Sequence, residues 1–173
     1  MAEGTRYGSQ EDWRKAARAY REAIALKPDE PVAYYNLGAV LANSGHKVEA
    51  AQRFLEAKER MPVGSENWAR ATADAFDKFR LPECADVTKP EWWNDEELKA
   101  LSARVMRAAP DDVAAHDMRA LVLTGQGAAW EAGPRSAAEL KEAAKHYERA
   151  AALCPAPVLK ANFAELADWC RSL

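Results

Sequence analysis

The sequence predicts an all-α array of antiparallel helix hairpins, and three observations carry that reading. About a fifth of the 173 residues are alanine, the strongest helix former, while Gly and Pro number only 8 and 9. Key residues recur at a fixed offset of 34: Ala16 and Ala50, Tyr20 and Phe54, Ala23 and Ala57, Pro28 and Pro62. Within each copy the spacing i, i+4, i+7 places these residues on one helical face. The offset extends backward from Gly4 to Gly38 and from Tyr7 to Leu41, and forward from Tyr34 to Trp68.

Each spacing has a physical reason. Ala16 and Ala23 bracket Tyr20, so small residues let a second helix approach and the aromatic fills the groove between them. The proline that follows cannot continue the helix, so every copy stops at the same place. On the preceding helix of the second copy, Tyr34, Leu37, Gly38 and Leu41 share a face, and Gly45 breaks the chain before the next helix. Helices are expected at 12–27, 31–44, 47–61, 65–79, 94–109, 112–124, 136–153 and 157–171. Asn94 with Glu97, and Ser136 with Glu139, supply N-terminal capping signals, and Trp93 with Leu98 is placed for a hydrophobic staple. Pro157 suits the first turn of the last helix, whose apolar stripe is expected at Leu159, Phe163, Leu166 and Trp169, with Lys160, Glu165, Asp168 and Arg171 toward water.

These residues resemble the tetratricopeptide repeat family, whose pattern is W-x2-L-G-x2-Y, then A-x3-F, A and P. Residues 31–64 follow it at Tyr34, Leu37, Gly38, Leu41, Ala50, Phe54, Ala57 and Pro62, and residues 1–30 from Gly4 through Ala16, Tyr20, Ala23 and Pro28. The pattern returns at Ala143, Tyr147, Ala150 and Pro155, and more weakly at Leu98, Ser102, Val105 and Pro110. The resemblance implies one right-handed superhelical array, an α-solenoid over 1–173. Its units are 1–30, 31–64, 65–112 with an insertion at 80–93, and 113–156 with an insertion at 125–135, closed by a capping helix at 157–171. The first helix of the first unit falls at or before the start of the chain. Both insertions lie between the two helices of a unit and are expected on one edge of the array. Trp92, Trp93 and Trp130, in or beside them, are read as pinning those loops.

Several chemistries lack their residues. No Gly-rich phosphate loop is present, and His46, His116 and His146 are dispersed with no His-x3-His pair, so no metal site, cofactor or enzyme activity is expected. Cys84, Cys154 and Cys170 stand far apart without a C-x-x-C, which suggests reduced thiols and a cytoplasmic location. A net charge of -3 argues against nucleic acid. No long apolar run or signal-peptide core suggests a membrane.

The family's function implies a protein–protein interaction scaffold that binds a peptide or protein on its concave groove. The alternatives are a permanent subunit of a larger assembly, or a regulatory or targeting domain of a longer enzyme. The family's ligand-facing positions place the candidate contacts at Tyr35, Asn36, Asn43, Arg70, Asp77, Asp117 and Met118. Asn36 and Arg70 also match the Asn–Arg pair with which one subclass clamps the acidic tails of heat-shock chaperones. Here Glu66 replaces the lysine one turn before that arginine, and with Asp77 and Asp117 it would repel a tail of carboxylates.

Overall fold

The computed structural model describes Gly4, residues 12–126 and residues 129–173. Tyr7 and most of the first helix of the first unit lie outside the described residues, as do positions 127 and 128 of the second insertion. Among the described residues there is no strand. The helices are α1 (Trp13–Leu26), α2 (Pro31–Asn43), α3 (Lys47–Arg60), α4 (Glu66–Phe79), α5 (Asp95–Ala108), α6 (Val113–Thr124), α7 (Ala137–Leu153) and α8 (Pro157–Ser172). Each end agrees with the sequence-based bound to within one residue. A short 3-10 turn, Pro82–Cys84, follows α4.

Local chemistry sets these ends. Ser65, Asn94 and Asp112 cap α4, α5 and α6, each side chain accepting from the backbone N–H three residues on, at 3.0–3.2 Å. Ser136 and Glu139 close a reciprocal capping box on α7. Pro31 and Pro157 open α2 and α8, where the missing N–H costs nothing.

The chain divides into two compact units, Met1–Val87 and Thr88–Leu173. In the first, α1 packs on α2, α2 on α3 and α3 on α4, and the 3-10 turn rests on α3. The small residues do what their spacing implies. Ala16, Ala50 and Ala57 are fully buried, although Ala23 is only half-buried. A Cβ placed on Gly38 would lie 2.9 Å from the Phe54 ring, and one on Gly4 would lie 2.7 Å from the Tyr20 ring. The same glycine–aromatic contact therefore recurs after 34 residues: the absent side chain is the space the ring occupies.

In the second unit α5 packs on α6, α6 on α7 and α7 on α8. Its core joins Ala120, Leu123, Ala143, Ala144, Tyr147 and Ala150 to Phe163, Ala167 and Cys170 of the last helix. The expected stripe on α8 is corrected here. Phe163 stacks on Tyr147 with ring centroids 6.3 Å apart, and the small Ala167 and Cys170 follow it inward at i+4 and i+7. Leu159 and Trp169 are left 52% and 37% exposed. Small side chains win the inner face because they let the helices approach closely.

Candidate functional site

In the first unit α2 and α4 flank a cleft of about 230 Å³ lined by Val32, Tyr35, Met61, Asn67 and Arg70. Two of the residues expected to contact a partner, Tyr35 and Arg70, thus face one space. Val32 lies one turn before Tyr35, Asn67 one turn before Arg70, and Met61 closes the floor where α3 ends. Tyr35 is fixed from two sides. Its ring tilts against Phe54 at 5.4 Å, and its hydroxyl donates to Asp74 Oδ2 at 2.7 Å. Arg70 bonds Glu66 one helical turn away at 2.7 Å, and both side chains are open to water. Such a pair contributes only ~0–1 kcal/mol, so an incoming carboxylate can compete for the guanidinium.

The other expected contacts separate from this cleft. Asn36 is half-buried on α2, and Asn43 is exposed at the helix end. Asp77 turns to the last turn of α4, bonding Lys78 at 2.6 Å and Arg80 at 3.3 Å. Asp117 is half-buried on α6 of the second unit. Met118 is 1% exposed and belongs to the core, which corrects its reading as a partner contact. The reason is that α6 is covered on most sides: Ala115, His116, Ala120, Leu121, Val122 and Leu123 are buried as well.

Polar chemistry gathers in the second unit. Asp95 accepts two bonds from Arg135 at 2.8 and 2.5 Å and one from Trp130 Nε1 at 3.1 Å. The guanidinium, whose side chain is only 7% exposed, holds this carboxyl far below the usual range. Lys99 bridges Asp95 at 3.3 Å and Glu139 at 2.7 Å, and this bond, aided by Ser136, lowers Glu139 to about 2. Trp93 donates to the Ala129 carbonyl at 2.9 Å and meets Trp130 edge-on at 6.0 Å. The end of the first insertion is therefore tied to the second, as the tryptophans suggested. Among the described residues no group of three or more His, Cys, Asp or Glu side chains could hold a metal ion. Among the same residues no helix is long and apolar enough to cross a membrane.

The family model of the TPR, or tetratricopeptide, repeat matches residues 4–45. Within that stretch the chain carries a tetratricopeptide repeat. Two crystal structures of MamA share the fold. One is 16% identical, with a TM-score of 0.64, over 100% of this chain and 81% of that one. The other is 14% identical, with a TM-score of 0.59, over 98% and 94%. No curated protein matches. Repeat family and fold together support a protein-interaction scaffold in general.

The repeat pattern read from the sequence can also be followed in the contacts of the second unit. Tyr34, at the first aromatic position of the pattern, donates its hydroxyl to the Pro28 carbonyl at 2.9 Å. His116 holds the equivalent place and bonds the Pro110 carbonyl through Nε2 at 2.9 Å. Arg119 stands where the tetratricopeptide pattern has leucine. It donates to the Lys99 carbonyl at 2.8 Å, to Ser102 Oγ at 3.1 Å and to Glu142 at 2.7 and 3.0 Å. The apolar contacts of the pattern are replaced here by a satisfied polar network.

Proposed function

We propose that the chain is an interaction scaffold that takes an extended segment of a partner protein into the α2–α4 cleft. The observation behind this is the pairing of Tyr35 and Arg70 across an apolar floor of Val32 and Met61. An aromatic held rigid by Phe54 and Asp74 offers contact area at little entropic cost, and Asn67 and Arg70 supply donors for a peptide carbonyl and a carboxylate. A short peptide with an apolar residue beside an acidic one fits these groups. The three cysteines are all buried thiols, which suits a reducing, cytoplasmic setting.

The test is capture of partners on the intact chain and on a Tyr35→Phe, Arg70→Ala variant, compared by mass spectrometry. A partner lost by the variant, with its melting temperature within about 2 °C of the parent, supports the cleft. A full partner set on the variant moves the site elsewhere.

A further inference from the structure

The rotation of α8 that buries Phe163, Ala167 and Cys170 leaves a second open cleft, of about 500 Å³, between the start of α7 and the end of α8. Its floor is apolar, formed by Leu140, Ala144, Cys170 and Leu173. Leu173 is 67% exposed, so the apolar floor meets water directly. Along one rim run Lys141 and Lys145, one helical turn apart on α7 and both exposed. Neither has an ion-pair partner among the described residues. The third cation of the rim, Arg171, is already held by Glu148 and Asp168. Among the described residues Glu148 is the only acidic side chain lining the cleft, and it is spent on that bond. A locally cationic, apolar trough thus stands on a chain whose net charge is -3.

We propose that the α7–α8 cleft docks an acidic amphipathic helix of a partner protein. Three features select that occupant. The trough is open along the helices, which suits a rod more than an enclosed small molecule. Its apolar floor takes side chains spaced i, i+3 and i+4 on one face of a helix. The two lysines, one turn apart, meet carboxylates repeating at the same one-turn spacing on a helix laid along α7. This surface belongs to the second unit and is independent of the α2–α4 cleft of the first.

The experiment uses the full chain and two dye-labelled synthetic helices of equal length. Both carry leucine at i, i+3, i+4 and i+7, one flanked by glutamates and the other by lysines. Fluorescence anisotropy is expected to show the acidic helix binding roughly tenfold more tightly than the basic one, with the preference shrinking as salt rises. Lys141→Glu with Lys145→Glu should reverse that preference. Lys141→Met with Lys145→Met should abolish it while keeping both residues good helix formers. Tyr35→Phe with Arg70→Ala should leave it unchanged, so failure of this proposal is separable from failure of the first. Equal affinity for the two helices, or the same acidic preference in the charge-reversed variant, would overturn it. So would a dimer, seen by sedimentation, that dissolves on charge reversal, because the trough would then belong to a second copy. Binding to anionic vesicles with none to the acidic helix would overturn it as well.

Discussion

His116 and His146 face each other through their Nδ1 atoms at 3.0 Å, while the far nitrogen of His116 meets the Pro110 carbonyl at 2.9 Å. The carbonyl only accepts, so His116 carries its proton on Nε2 and presents a bare Nδ1. His146 must then donate from Nδ1, leaving its Nε2 toward Glu142, 3.7 Å away. A proton on His116 Nδ1 would set two N–H groups against each other.

The first prediction follows from this pair. Burial pushes both histidines below their usual value. The nearby Arg149 adds to the shift at His116, and the partner histidine and Arg119 add to it at His146. The Pro110 carbonyl, and after it Asp111 and Asp112, at His116, and Glu142 at His146, oppose the shift without cancelling it. A folded pKa below the unfolded value of about 6.5 gives stability that is complete above that pH and is lost as pH falls through it. The melting temperature should hold from pH 8 to 7 and decline between about pH 6.5 and 5. His116→Tyr, which copies the Tyr34–Pro28 bond, should flatten that decline. An equally steep decline in the variant would refute the assignment.

Ala50 is fully exposed to packing and not to water, with 0% accessibility between α3 and its neighbours. Ala50→Leu should overpack this contact and cost about 1–3 kcal/mol in denaturant unfolding.

Gly38→Ala sets helix propensity against sterics. Alanine favours a helix by up to ~1 kcal/mol, but its Cβ would sit 2.9 Å from the Phe54 ring. The steric cost should prevail, giving a net loss of about 1–2 kcal/mol. Pairing it with Phe54→Leu should recover part of that loss, which a double-mutant cycle measures.

Asp95→Asn removes the carboxylate that holds Arg135, Trp130 and Lys99. Leaving a mostly buried guanidinium without its partner should cost about 2 kcal/mol. Tryptophan emission should shift to the red, and trypsin should cleave after Arg135 sooner than in the parent.

How far the sequence could be read depended on the range of the interactions involved. The helix ends were legible because caps such as Asn94 and Ser136, and stops such as Pro28 and Pro62, act within a few residues. The recurrence of Gly4 at Gly38 and of Tyr20 at Phe54 was legible, but that each glycine meets its aromatic needed the packed helices. The face of α8 was not, because size suggested that Leu159 and Trp169 turn inward while close approach selected Ala167 and Cys170. The burial of Met118 was not legible, because the polar residues of α6, His116 among them, also turn into contacts with neighbouring helices. Tyr35 and Arg70 were placed by the repeat register. Val32, Asn67 and Met61 needed the three-dimensional meeting of α2, α3 and α4, although each helical pair is spaced by one turn.

The substitution of Arg119 into a leucine position constrains how this chain can change over generations. Arg119 ties Ser102, Glu142 and the Lys99 carbonyl into one network, so these positions are expected to vary as a set. Reverting Arg119 to leucine by itself costs the buried Ser102 and the Lys99 carbonyl one partner each, while replacing Ser102 or Glu142 alone leaves a largely covered cation short of acceptors. Every one-step path back toward the family pattern therefore descends in stability before it climbs. Lineages that share this arginine are expected to retain its serine and glutamate together, a signature of covariation by which relatives could be sorted.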